Sequence, residues 1–589
     1  MSSQPEWYDV FVTRHELSKD VSPSIPSEIF TSTRARLEED HKFLTQALLA
    51  VRSRLNALTP IHRLPPEILA KIFSHIGSFH RPSPPRLGWI AVTHVCRHWR
   101  HAALAHPSLW AEDVCSPLHW TARNLERSKQ YPINIRVREY VDTQSPPKAL
   151  RLALREIGRA RRIEMLIHNV WIGALEDELT QPAPLLEYLA VDTEFMDGPR
   201  APGFPEDLFQ RHAPRLSTIF FTGIAPPVTP WLYANITEAV IQRNHFMKSL
   251  FATDDDFLDV LEGMPKVRKL VLRSAIVYAN PLNDRTVHLP CLRSLCITHK
   301  LVDNLWILQR LAIPNIQNLQ TTFDVRNDEL IPSLAPFIPL AANPDQTPRR
   351  PRTLGITVDL DVVVIAAWDN TLPKGESCLR SDSAIFDICF ETSGVLSSAR
   401  NLMNQLPVWL EELSADEISA VRVFCGPGQV CSPAPLFDAL RFLPSVETVF
   451  INTASTAAPI MDVFVDAIRS STPSHTEHPI GVSRSRLLPC LRHIRFVGVD
   501  FTYHAPDPHP DVGGSSLADH QKPSTLIQFI RSHSEYGGIE HVDLRSCIIP
   551  AAGVNELRKL VPMVEWDGVE EGFERAFADD IDDSADVDE

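Results

Sequence analysis

The densest group of metal-ligating side chains in the sequence lies at His94, Cys96, His98 and His101. His94 and His98 stand four residues apart, a spacing that on a helix turns both imidazoles to one face, as helical zinc sites require. The other parts of such a site are missing: no glutamate completes an HExxH pattern, no second ligand cluster pairs with this one, and Cys96 falls on the side that carries Val92 and Trp99. These histidines therefore read as structural or solvent-exposed groups. Gly426-Pro427-Gly428 lacks the third glycine of a dinucleotide loop, and its proline has no N–H to offer a phosphate, so it reads as a turn. No GxSxG or Walker A pattern occurs, the 22 glycines are few for a phosphate-binding enzyme, and no carboxylate pair takes acid and base roles from spacing alone. The expectation is no catalysis, no metal and no cofactor, with a metal-dependent enzyme hidden in the insertions as a remote alternative.

Docking is the chemistry that the residues favour. Leu64–Trp110 reads LPPEILAKIFSHIGSFHRPSPPRLGWIAVTHVCRHWRHAALAHPSLW and holds more apolar side chains than so short a segment can hide. Pro65 and Pro66 can open a helix whose first turn has no N–H partners to lose, and Glu67 stands favourably against the dipole there. Ile68, Leu69, Ile72, Phe73 and Ile76 recur at helical spacing, and Val92, Val95, Cys96 and Trp99 form a second stripe after a Pro-rich loop. Two short helices this apolar need a partner to cover one face.

Leu64, Pro65, Glu67, Ile68, Leu69, Ile72 and Phe73 match a pattern LPxEIL–xxIF; Val95, Cys96, Arg97, Trp99 and Arg100 match VCRxWR; Pro107, Ser108, Leu109 and Trp110 match PSLW. In that order and spacing the segment resembles the F-box family, with a longer first loop, His80–Leu87, as the departure. The resemblance implies a small helical module that binds the Skp-type adaptor of a cullin-RING ubiquitin ligase, while the rest of the chain selects a protein target. It places the adaptor contact on Leu64, Pro65, Ile68, Leu69, Ile72 and Phe73, with Val95 and Trp99 divided between the interface and the module's own core. A ligase-independent scaffold using the same helices is the alternative.

Around this segment the chain reads as further regions. Residues 1–30 carry three prolines and few apolar anchors and read as disordered. Over 31–60, Leu37, His41, Leu44, Leu48, Val51, Leu55 and Leu58 alternate in steps of four and three, a short heptad seam expected to pack onto neighbouring helices rather than to dimerise. The F-box-like domain occupies 61–114. From 115 to 569 a unit Pro-x-Φ-x-x-Φ-x-Φ, where Φ is apolar, recurs after Pro184, Pro214, Pro265, Pro290, Pro444 and Pro489, with weaker copies after Pro314 and at Ile539, Val542 and Leu544. Its last two apolar positions are two apart and so share one face of a short strand. Helical signals at Asp255–Glu262, Asn304–Leu311 and Pro459–Arg469 alternate with these strands. The series looks like a degenerate leucine-rich-repeat array, lacking the regular asparagine, so the expected fold is a small helical F-box module followed by an irregular α/β solenoid. Ala341–Arg352 and His504–Lys522 read as exposed loops.

Of the net charge of −16, residues 570–589 carry −9 (ten acidic residues against Arg575), which leaves −7 for the rest and defines an acidic tail expected to be disordered. A mildly acidic body argues against nucleic acid as a main partner, and Arg151, Arg155, Arg159, Arg161 and Arg162 read as a solvated helix face. No apolar run approaches the ~20 residues that a membrane helix needs, and the N-terminus has no secretory signal, so the expected location is cytoplasmic or nuclear. The ten cysteines then read as reduced and mostly buried, and the sequon Asn235-Ile236-Thr237 as silent.

Overall fold

The computed structural model describes residues 27–83, 85–138, 145–168, 171–193, 203–244, 249–276, 283–324, 351–359, 362–369, 384–391, 417–425, 440, 442–453, 488–499, 501, 523–534 and 538–569. The chain divides into two compact units, Met1–Val137 with Pro147–Arg162, and Arg138–Pro146 with Ile163–Glu589. Residues 1–26, Pro459–Arg469, His504–Lys522, most of Ala341–Arg352, Gly426-Pro427-Gly428 and the acidic tail lie outside the described residues.

The first unit opens with a 31-residue helix α1 (Ser27–Ala57), followed by α2 (Pro66–Phe79), a 3-10 turn at Gly88–His94, α3 (Arg97–Ala105), α4 (Pro107–Ala111) and α5 (Thr121–Ser128). Strand β1 (Ile133–Val137) and helix α6 (Lys148–Leu154) follow, and β2 (Ala160–Ile167) begins in this unit and ends in the second. The heptad seam of α1 does not pack onto neighbouring helices: Leu37, Leu48, Val51, Leu55 and Leu58 are all exposed. The core of this unit is built without it, Leu69, Phe73, Trp89 and Trp110 packing on one another. The five arginines do not share a helix face either. Only Arg151 lies on α6; Arg159 ends a 3-10 turn, and Arg161 and Arg162 belong to β2. Arg159 is structural, donating Nη1 to Ser128 Oγ (3.1 Å) and to the Tyr131 carbonyl (2.8 Å), with Nε on Glu156 (3.0 Å).

The second unit is built on a large, mostly parallel sheet. β3 (Tyr188–Thr193), β4 (Thr218–Thr222), β5 (Glu238–Gln242) and β6 (Lys269–Arg273) lie side by side in chain order. A small parallel pair, β7 (Val287–His288) with β9 (Leu311–Ala312), stands apart from β8 (Ser294–Lys300) and β10 (Asn318–Asp324), which continue the sheet. Next come β11 (Thr353–Asp359), β12 (Val362–Trp368) and β13 (Phe386–Glu391), then β14 (Ala420–Cys425), β15 (Thr448–Thr453), β16 (His493–Val497), β17 (His541–Arg545) and β18 (Met563–Trp566). Their spatial order is β10-β13-β12-β11-β14, after which chain order resumes.

Every copy of the Pro-x-Φ-x-x-Φ-x-Φ unit coincides with a strand of this sheet, and the copies stay in register. Leu189 lies beside Ile219, Leu295 between Leu270 and Leu319, and Ile494 between Val449 and Val542. The first Φ of each unit seals the turn before the strand: Leu186, Leu216, Val267, Leu292, Val446 and Leu491 are all buried. Asparagine does recur as a link at two places, where Asn235 and Asn315 donate side-chain N–H groups to the carbonyls of Pro214 (3.1 Å) and Pro290 (2.7 Å) of the preceding units. The sequon residue Asn235 is therefore engaged in a turn-to-turn bond.

β12 runs antiparallel to both of its neighbours, β11 and β13. Two residues separate β11 from β12, and so short a connection can only make a hairpin. Val363–Trp368 are all buried, the continuous apolar run of a strand covered on both faces. Of the helical signals, Asp254–Glu262 (α7) and Leu301–Gln309 (α8) form within one to three residues of the predicted starts, and α9 (Pro523–Ser534) and α10 (Ala551–Leu560) appear towards the end of the chain. α7 starts where its sequence says it should: Thr253 Oγ1 accepts from the Asp256 N–H (3.1 Å), and Asp256 returns a bond to the Thr253 N–H (2.9 Å). Among the described cysteines, Cys115, Cys389 and Cys547 are buried, while Cys291 and Cys490 are exposed, so burial is less general than expected. Among the described residues no helix is long and apolar enough to cross a membrane.

Candidate functional site

The Leu64–Trp110 segment forms the core of the first unit. Pro65 is the N-cap of α2 and Pro66 its first residue, with Glu67 in the first turn, so the prolines sit where a missing N–H costs nothing. Leu69, Ala70 and Phe73 of α2 pack against Trp89, Ile90 and Val92 of the 3-10 turn, Ala102 and Ala103 of α3, and Leu109 and Trp110 of α4. Trp89 meets Trp110 edge to face (5.0 Å between centroids), and the Trp110 indole N–H donates to the Ala103 carbonyl (2.9 Å), which satisfies its polar atom inside the cluster. The Arg127 guanidinium lies 4.2 Å over the same indole. Burial, then repulsion from Arg123 and Arg100, lowers its pKa from the usual arginine value.

The long first loop closes without disturbing the helices. Ser83 and Arg86 exchange backbone bonds (2.9 and 2.6 Å), and the Trp89 N–H returns to the His80 carbonyl (2.8 Å). The return is possible because residue 88 is glycine. Its φ is +53°, and a Cβ there would stand 2.5 Å from the Arg81 carbonyl group.

Val92, Val95, Cys96 and Trp99 do not make one helical stripe. The 3-10 turn ends at His94, Val95 turns, and Cys96 is the extended N-cap of α3, its sulfur accepting from the Trp99 N–H (3.5 Å). The same break separates His94 from His98, so the two imidazoles share no helix face; His98 instead lies against His62, 4.3 Å between centroids. Among the described residues no group of three or more His, Cys, Asp or Glu side chains is arranged to hold a metal ion.

The eight residues singled out in the sequence fall into three classes of exposure. Leu69 and Phe73 are fully buried, and Phe73 meets the Trp99 ring at 5.3 Å. Leu64, Ile72 and Trp99 are half-buried, resting on the core with part of each side chain outside. Pro65, Ile68 (40% exposed) and Val95 (57%) face solvent. Ile68 and Ile72 stand one turn apart on α2, so an apolar face remains once the module has built its own core. Phe79 (72% exposed), seven residues after Ile72, extends that face and was not singled out, although the same helical period reaches it.

Such a surface, apolar and rigidly backed, offers shape and desolvation to a partner protein and no group poised for bond making. Its buried thiol is inert: burial, with a smaller contribution from Asp113, pushes the Cys115 pKa up to about 12. No curated protein matches the chain. The F-box-like family model matches residues 61–116, a span that takes in α2, α3, α4 and the apolar face just described. The chain carries an F-box-like domain at residues 61–116.

Proposed function

We propose that the chain is the substrate-receptor subunit of an SCF-type ubiquitin ligase. The apolar face of Leu64, Pro65, Ile68, Ile72, Val95 and Trp99 takes a Skp-type adaptor, through which a cullin is recruited, and Leu69 and Phe73 contribute from beneath by fixing α2. The observation that carries this reading is that the F-box-like match coincides with the residues left exposed after the module's core is complete. The region from about Leu185 to Trp566 holds the protein target. It acts as a degenerate leucine-rich-repeat array, in which in-register strands make one continuous surface suited to a protein partner. The chain itself makes and breaks no bonds; it raises the effective concentration of a target beside the ligase's reactive thioester.

Native affinity purification scored for adaptor and cullin tests the reading. Both are expected with the full chain, and both are lost with Ile68→Asp. A folded full chain that recovers neither would refute it.

A further inference from the structure

We propose that α1 pairs with the α1 of a second copy of this chain as an antiparallel two-helix coiled coil. The helix is 31 residues long, about 46 Å at 1.5 Å per residue, which accommodates four heptads. Its apolar seam is exposed from Phe30 (50%) to Leu58 (75%), one residue past the helix end, with Leu44 half-buried. Taking Arg34, His41, Leu48 and Leu55 as a and Leu37, Leu44, Val51 and Leu58 as d, the helix is self-complementary about residue 46. Antiparallel packing sets a against d. Leu37 then meets Leu55 of the second copy, Leu44 meets Leu48, His41 meets Val51, and at the ends Arg34 meets Leu58, each layer repeated by symmetry.

The flanking charges select both the partner and its direction. Positions e and g carry Glu38 and Asp40 in the first half of the helix and Arg52 and Arg54 in the second. In the register that aligns the a–d layers, e faces e and g faces g across the antiparallel seam. Glu38 therefore meets Arg52 of the second copy and Asp40 meets Arg54, four ion pairs per dimer. A parallel pairing would place Asp40 beside Thr45, Ala47 beside Arg52 and Thr33 beside Glu38, with no ion pair. Glu38 already accepts from Arg34 of its own helix at 2.9 Å, and its side chain stays 66% exposed, which leaves the carboxylate open to a second cation. A two-fold axis makes the contact isologous, so it closes at two copies.

Sedimentation of the full chain tests this. The wild type is expected at twice the chain mass of 66.2 kDa. E38R/D40R is expected to be monomeric at the concentration where the wild type is dimeric, because basic residues then face Arg52 and Arg54. E38R/D40R/R52E/R54E restores opposite charge across the seam and should return the dimer. Phe43→Ser removes an apolar side chain that is more exposed than most of the seam but lies off it, and should leave the dimer intact. A monomeric wild type, a dimeric E38R/D40R, a quadruple variant that stays monomeric, or a dimer lost in Phe43→Ser would each overturn the proposal.

Discussion

Replacing Gly88 by alanine is expected to loosen the docking module by about 2–3 kcal/mol, a magnitude that follows from one turn of backbone. A left-handed conformation at φ +53° costs an L-residue about 1–2 kcal/mol. The new Cβ would lie 2.5 Å from the Arg81 carbonyl carbon and oxygen and 2.6 Å from the His80 carbonyl oxygen, all backbone atoms that cannot swing aside. The loop must open, and the 2.8 Å bond from the Trp89 N–H to the His80 carbonyl goes with it, about 1 kcal/mol more. Hydrogen exchange over Trp89–Trp110, read by mass spectrometry on the full chain, should accelerate about 30- to 150-fold. Gly77→Ala is the matched control. Gly77 lies inside α2, and its Cβ would touch the Trp89 side chain at an ordinary 3.6 Å, so the substitution should slow exchange by stabilising the helix about 0.5–1 kcal/mol. Unchanged exchange in Gly88→Ala, or faster exchange in Gly77→Ala than in Gly88→Ala, would refute the reasoning.

In the C-terminal strands, Arg422, Phe450, Arg495 and Asp543 stand in one cross-strand row, and Asp543, 2% exposed, accepts from Arg495 (2.6 Å) and Arg545 (3.1 Å). Asp543→Ala leaves Arg495 without its partner in a mostly buried position and should cost about 3 kcal/mol, seen as faster exchange over β16–β18; unchanged exchange would show that the pair is not structural. His299 is buried on β8 and its Nε2 accepts from the Ala275 N–H (2.8 Å), and burial, then the Arg243 charge, lowers its pKa from 6.5 to about 3. The unfolded chain therefore takes up a proton that the folded chain refuses, so this contribution to stability is present above pH 6.5 and is lost progressively as pH falls towards 3. Thermal melts should decline over that window and decline less steeply in His299→Gln; equal slopes would contradict the assignment. Under native alkylation Cys291 and Cys490, both exposed, should be labelled well before Cys115, and early labelling of Cys115 would show that its cluster opens.

How much of this was legible in the sequence depended on whether the signal was local. The helix at Pro66–Phe79 could be read directly because its start, charge and period agree, and the Pro-x-Φ-x-x-Φ-x-Φ units marked their strands because proline and alternation fall at fixed offsets. β5 and β14 escaped for want of the proline, although Ile236-Ala239-Ile241 and Ile418-Val421-Val423 carry the same spacing and are buried like the rest. β12 was not foreseen, since its antiparallel course follows from the length of a connection and not from any residue in the strand. The break at Val95–Cys96 was invisible because apolar spacing alone cannot tell one helix from a 3-10 turn followed by a capped helix. The eight candidate contact positions came from the sequence without Phe79 of the same face, and their division into core and surface required the packing of Trp89 and Trp110 behind α2.

The central claim is that the exposed face of α2 and the Val95 turn takes the adaptor. Titration calorimetry of the purified full chain with a purified Skp-type adaptor tests it most directly, comparing the wild type with Ile68→Asp and Val95→Asp, both at positions outside the module's buried core. The account predicts binding by the wild type and a loss of about a hundredfold or more in each variant, because an unpaired carboxylate is carried into a desolvated apolar contact. Equal binding by variants and wild type, or no binding by a folded wild type, would contradict it.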